Sequence, residues 1–279
     1  MTETSVDADA FNAFEAAGWK RQADGYEDFF GPITTRLVEP LLDAAGVGSG
    51  ARLLDVASGP GYVAARAAER GASVVGVDIA DAMIARARRL HPELEFRFGN
   101  AEALPFADDS FDAVVGNFVM LHLGRPERAA AEFARVLSPG GRLGLTVWDV
   151  PEKARFLGVL VEAVAAAGAA ASDDIPMGPP IFRFSDDAEF GRLLHDQRLE
   201  DIEVRAIAFA HSESSPDALW RGLLGGTVRT SALVLSQPSE KQGQIRTAFD
   251  RIVQQYAVGG SLELPVSVKL ASARKPAAR

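Results

Sequence analysis

The chain has 279 residues, enough for one large α/β domain or a domain with a small elaboration, and 47% of them are hydrophobic, enough for a core. Its 38 Asp and Glu outweigh 29 Lys and Arg, and the basic residues are scattered; no positive patch stands ready to displace phosphate counterions, so nucleic acid is not an expected partner. The absence of cysteine excludes disulfides, thiolate metal sites and cysteine nucleophiles, and the longest apolar run, 163–171, is too short to span a bilayer.

Residues 1–10 are polar and acidic and read as disordered, without the basic and apolar regions of a signal peptide; a soluble cytoplasmic protein is expected. Residues 11–20 suit a short helix, and 33–45 a better one with Leu37, Leu41 and Leu42 on one face. Gly46, Gly48 and Gly50 then break the chain. Short apolar runs follow at 53–57, 74–77, 113–115 and 143–148. Between them Met83, Ile84, Ala87 and Leu90 share one helical face, and Ala129, Phe133, Val136 and Leu137 another. Short apolar strands alternating with amphipathic helices mean βαβ units and a parallel sheet with helices on both faces.

After Val150 the rhythm loosens. Residues 156–167 are apolar, alanine-rich and read as helix. Ser185, Asp186 and Asp187 look like a cap and acidic first turn for a helix burying Phe190, Leu193 and Leu194. A strand is expected over 202–210, and Ser215-Pro216 starts another helix. Ile245, Phe249, Ile252, Val253 and Tyr256 have helical spacing, whereas Leu262, Leu264, Val266, Val268 and Leu270 alternate strictly, as a strand with unlike faces does. The chain thus divides into a helical cap segment (1–50), a nucleotide-binding core (51–150) and a stretch completing the sheet (151–279), with a helical lid insertion around 212–260.

The first strand-to-helix turn carries the chemistry: Asp55, Ala57, Gly59 and Gly61 lie where an open α/β sheet binds its ligand. Glycines there turn the chain tightly and admit close approach, although a tight turn that binds nothing has the same pattern. Asp78 ends the second strand 19 residues after Gly59, a spacing that lets a carboxylate accept from a ribose diol; a solvated loop aspartate is the alternative. NAD and S-adenosylmethionine (SAM) both contain that ribose. Asp55 tilts the choice, because a carboxylate before the turn repels a pyrophosphate and suits an ammonium or a water; it could equally satisfy backbone N–H groups of the turn.

These residues, with Gly99 to Phe106, Phe111-Asp112 and Arg135 to Gly141, stand in the order typical of class I SAM-dependent methyltransferases. The chain resembles the group that includes ubiquinone and menaquinone C-methyltransferases and many natural-product methyltransferases, strongly over 51–148 and more faintly over 262–274. The resemblance implies an α/β, Rossmann-like, doubly wound and mostly parallel seven-stranded sheet with an antiparallel last strand and helical lid insertions. It implies SAM as cofactor: Asp55, Ala57, Gly59 and Gly61 around the methionine part, Asp78 on the ribose, and Ile79 and Met83 on the adenine. Asn100, Ala101 and Glu102 would meet the adenine edge, and Asn117 and Phe118 the sulfonium. Asn100 departs from the family's usual aspartate, so its bond to the adenine would lack charge assistance.

His122, just past the fourth strand, is the candidate general base for a hydroxyl acceptor; a helix-start histidine bonded to backbone is the alternative. Trp19, Tyr26, Phe30 and Trp220 are the candidate walls for a flat or apolar acceptor, if they do not merely pack accessory helices. The expected partners are a small-molecule acceptor and at most a second copy of the chain, with no membrane and no metal. Two rivals stay open: a protein of this fold that binds SAM without methylating, and an NAD(P)-dependent oxidoreductase, for which no Tyr-x-x-x-Lys signature is visible.

Overall fold

In a computed structural model, residues 7–172 and 174–278 are described, residue 24 in its backbone alone. Five strands run parallel: β1 (Arg52–Val56), β2 (Ser73–Asp78), β3 (Glu95–Phe98), β4 (Phe111–Asn117) and β5 (Leu137–Trp148). Three more complete the sheet: β6 (Glu200–Glu213), the two-residue β7 (Ala257–Val258) and β8 (Ser261–Arg274). The order is β3-β2-β1-β4-β5-β8-β6, with β7 paired only to β8. The last strand therefore enters antiparallel between β5 and β6, and β6 becomes an edge. The seven-stranded path agrees with expectation; the hairpin strand β7 makes the count eight.

Hydrophobic patterning explains most of these strands and also the one it hides. β1, β4 and β5 are buried along nearly their whole length because helices cover both faces. In β3 only Phe96 is buried, so Glu95, Arg97 and Phe98 leave no apolar run to read. β8 alternates at its start but buries polar residues further on. Two of them find partners: Ser267 Oγ donates to Asp149 (2.8 Å) and Lys269 Nζ to Asp187 (2.6 Å). The 139–141 turn is absorbed into β5 as an irregularity, with Leu137 opposite Phe111 and regular pairing resuming at Arg142 opposite Ala113. β6 is longer than the 202–210 expected, because β8 gives it a partner out to Glu213.

The N-terminal segment departs most from expectation. Residues 1–6 of the expected disordered stretch lie outside the described residues, but Asp7 caps a helix by accepting from the Ala10 N–H (3.0 Å). That helix, α1, runs unbroken over Ala8–Thr34, in place of the separate helices expected at 11–20 and 33–45. A 3₁₀ turn (Thr35–Leu37) then leads into α2 (Val38–Ala44). Gly25 sits inside α1 because another chain segment crosses there: a Cβ on it would lie 2.3 Å from the Gly225 carbonyl oxygen. Close packing of backbones offsets the helix-weakening effect of glycine.

The helices α3 (Tyr62–Glu69) and α4 (Asp81–Leu90) join α2 over one face of the sheet. α5 (Pro126–Val136) and α7 (Asp187–His195) cover the other. The remaining helices are α6 (Arg155–Ala166), α8 (Pro216–Gly226), α9 (Arg229–Leu235) and α10 (Ser239–Val253). The last three fill the expected insertion between β6 and β8, while Tyr256 falls in a 3₁₀ turn beyond α10. They do not float over the sheet. Leu219, Leu223 and Phe249 share one buried cluster with Phe29 and Phe30 of α1, Phe156 of α6 and Leu264 of β8. No helix among the described residues is long and apolar enough to cross a membrane.

Candidate active site

A cavity with about 1200 Å³ of atom-free space, counted out to its mouth, opens beyond the carboxyl ends of β1, β2 and β4. Its floor is the turn after β1. Ala57, Gly59 and Gly61 all have positive φ (55°, 51° and 88°). Gly61 could not be otherwise: a Cβ there would meet the Phe96 ring at 2.7 Å. At Gly59 nothing lies within 4 Å of where a Cβ would stand, so that backbone faces open space.

Two carboxylates hold this turn. Asp78 accepts from the Gly59 N–H and the Ala80 N–H, both at 2.9 Å. Each oxygen keeps a further lone pair for a ligand, and Asp78 lines the cavity. Burial pushes its pKa up, while the two N–H groups and nearby His122 pull it down. Asp55 lies behind the turn, 1% exposed, and accepts from the Ala64 N–H at the start of α3 (3.1 Å). Its other oxygen, Oδ1, is buried without a partner. Burial pushes this carboxyl up to about 8; the Ala64 N–H opposes the shift and the Asp78 charge adds to it.

Ile79, Met83, Asn100 and Ala101 continue the wall. Met83 is both buried core and lining, packed with Ala23 and Ala80 beside Trp19 and Tyr26. Asn100 spends its side-chain oxygen on the Glu102 N–H (2.8 Å). Asn117, at the end of β4, donates to the Thr34 carbonyl (3.1 Å) and accepts from the Thr146 hydroxyl (2.6 Å). Phe118 follows with φ 62°, a left-handed conformation rare outside glycine, and its ring lies 4.4 Å from that of Trp148. Such strain persists only where surrounding packing enforces it, and it clusters at functional sites.

α1 supplies the opposite wall. Asn12, Glu15, Trp19, Tyr26 and Phe30 recur at helical spacing and all line the cavity. Tyr26 stacks on Phe30 (5.8 Å), and burial pushes its hydroxyl up to about 12. His122, in the 3₁₀ turn after β4, directs Nδ1 to Glu15 Oε2 at 2.9 Å, and Trp19 meets its ring edge-on at 5.0 Å. Arg229, at the start of α9, closes the far side; it donates to the Pro179 carbonyl (2.8 Å) and lies over the Phe11 ring.

Four residues singled out from sequence do not line this cavity: Asp55, Gly61, Glu102 and Trp220. Asp55 and Gly61 support the turn from behind. Glu102 is a buried clamp, accepting from Asn12 Nδ2 and the Arg125 N–H, both at 2.8 Å, and so ties α1 to the loop before α5. Trp220 packs edge-on against Phe249 under the Arg246 guanidinium. Conversely, Glu15, Asn12, Trp148 and Arg229 escaped the sequence reading. With α1 expected to end at Lys20, the stripe from Asn12 to Phe30 was not visible as one face.

Comparison with known proteins agrees with this geometry. A family described as a methyltransferase domain matches residues 54–145. Over 129 residues the chain is 39% identical to a demethylmenaquinone methyltransferase of Renibacterium salmoninarum, covering 46% of this chain and 54% of that protein. The chain thus spans about half the length of the curated relatives it matches. Among solved structures, the YcgJ protein of Bacillus subtilis superposes with a TM-score of 0.58 at 21% identity, over 87% of this chain and 99% of that one. A Haemonchus contortus phosphoethanolamine N-methyltransferase, solved with phosphomonomethylethanolamine and S-adenosylhomocysteine, gives 0.58 at 17% identity, over 95% of this chain and 60% of that one. At such identities these structures speak for the fold. Over residues 54–145 the chain is thus similar to a methyltransferase domain, and those residues lie on a Rossmann-like sheet whose fold it shares with these solved structures.

Proposed function

We propose that the protein transfers a methyl group from SAM to a small, largely apolar acceptor. The observation that carries this reading is one continuous cavity lined by two unlike sets of residues. One set is the glycine turn, Asp78, Asn100 and Ala101; the other is Trp19, Tyr26, Phe30 and His122. The donor set fits SAM: Asp78 has lone pairs left for a ribose diol, and the unpartnered Asp55 Oδ1 behind the turn suits a nearby ammonium.

When bound, SAM supplies a methyl already activated on a cationic sulfur. The chain's task is then to orient and to exclude water. Asn117 and Phe118, fixed by Thr34, Thr146 and Trp148, border the place where methyl and acceptor meet. Holding the two in line can supply roughly 7–11 kcal/mol of the barrier reduction. His122 is the base when the acceptor needs one. Residues 11–30 and 212–260 form the cover that selects the acceptor, as segments beyond strand ends often do. A cytoplasmic working place, free of nucleic acid and with at most a homodimer, belongs to the same reading; the excess of 38 acidic over 29 basic residues supports the exclusion of nucleic acid. Incubation with methyl-labelled SAM and a panel of phenols, quinols, amines and carboxylates tests the reading. Label should appear in an acceptor; SAM that binds but is never consumed favours a non-methylating protein.

A further inference from the structure

The cavity holds one carboxylate that neither the turn nor the cofactor end uses. Glu15 lies on α1 with its side chain 3% exposed. Its Oε2 is 2.9 Å from His122 Nδ1, and its Oε1 is buried with no partner. A buried carboxylate oxygen left unsatisfied is expensive, and in native proteins it marks a place where another charge or donor is met. Glu15 is held there deliberately. One turn earlier Asn12 accepts from the Gly124 N–H (2.8 Å) and donates to Glu102, which pins this part of α1 to the loop that carries His122.

We propose that Glu15 is a positioning residue for His122, and that the acceptor therefore carries an O–H group. An ionised carboxylate can only accept, so it selects the imidazole tautomer with the proton on Nδ1. The lone pair then lies on Nε2, which has no hydrogen-bond partner among the described residues and belongs to a side chain lining the cavity. Trp19, edge-on to the ring, holds its plane. The acceptor claim rests on the methyl-transfer reading; the tautomer claim does not. In the step itself the hydroxyl proton passes to Nε2. The oxygen's electron pair forms the O–CH₃ bond, and the S–CH₃ pair returns to sulfur, leaving a neutral thioether. The imidazolium so formed sits against the Glu15 carboxylate, which offsets its charge.

The test is ¹⁵N NMR on histidine-labelled protein with S-adenosylhomocysteine present, at a pH where imidazole is neutral, the His122 signals being assigned by their loss in His122→Ala. The wild type should show a protonated Nδ1 and a bare Nε2. Glu15→Ala should relax toward the mixture of a solvated imidazole, and Glu15→Gln, whose amide oxygen can still accept, should restore the Nδ1–H form. A wild-type proton on Nε2, or an unchanged pattern in folded Glu15→Ala, overturns the proposal. With labelled SAM and 1-naphthol or another hydroxyl compound that accepts label, Glu15→Ala should lower kcat at least about tenfold, up to the roughly 10²–10⁴ that general-base catalysis is worth, and leave KM for SAM unchanged. Label entering amines but no hydroxyl compound overturns the acceptor class alone. Absence of any transfer with the Nδ1–H pattern intact counts against methyl transfer and not against the pair.

Discussion

Asp55→Asn should make the ligand-free protein progressively more stable than wild type as the pH rises from 5 to 8. In an unfolded chain an aspartate ionises near pH 4. In the folded protein Asp55 keeps its proton to about 8, chiefly because it is buried and also because Asp78 stands close. Between those values the folded state binds the extra proton, so folding stability falls with rising pH, by at most about 1.4 kcal/mol per unit. At pH 7 the loss could approach 4 kcal/mol on this scale, a large share of the 5–15 kcal/mol that holds a domain together. Asparagine has the same shape and no charge to bury. Its amide brings a fixed cost at the unpartnered Oδ1 position, but that cost does not vary with pH. The slope is therefore the signature. Urea unfolding of both proteins at several pH values gives it directly, as a stability difference that widens by roughly 1 kcal/mol per unit above pH 5. A difference that stays constant would mean that Asp55 is ionised in the fold, and the argument for its burial would fail.

Asp78→Ala removes an acceptor from two backbone N–H groups as well as from a ribose, so SAM affinity should fall at least about tenfold, measured by calorimetry, and stability should fall by roughly 1–3 kcal/mol in the same urea assay. Gly222→Val places a side chain where Phe29 already lies, 1.9 Å from the position of a Cβ, and should lower Tm by several degrees as α8 is pushed off α1. Trp220→Ala should cost stability through lost packing on Phe249 yet leave SAM affinity within twofold by calorimetry, about 0.4 kcal/mol, since Trp220 does not line the cavity. Amides of residues 212–260 should exchange faster than those of β1 in the free protein and slow when S-adenosylhomocysteine and an acceptor are both bound, as hydrogen-exchange mass spectrometry can show.

What was legible in the sequence follows from where patterns are local. β1, β2, β4 and β5 are buried on both faces and read as apolar runs, and the turn from Asp55 to Gly61 with Asp78 has fixed spacing. β3 was hidden because three of its four residues are exposed or only edge-covered, and edge strands need no apolar run. α1 was split because a glycine such as Gly25 looks like a break until α8 is seen packed against it. The same long-range packing concealed half the site. Glu15 becomes a partner of His122 only when residues 107 positions apart are brought together, and a single glutamate in a helical stretch carries no signal of that. Asp55 was read as a carboxylate facing a choice between ligand and backbone; the structure gives it one backbone N–H and leaves the other oxygen buried without a partner.

Titration calorimetry with S-adenosylhomocysteine and, separately, with NAD tests the central claim most directly, because the two share the ribose and differ at the phosphate. S-Adenosylhomocysteine should bind in the micromolar range or tighter, on the order of −8 kcal/mol, and NAD should show no comparable heat. Tight binding of NAD with no binding of S-adenosylhomocysteine would contradict the assignment of this cavity to SAM.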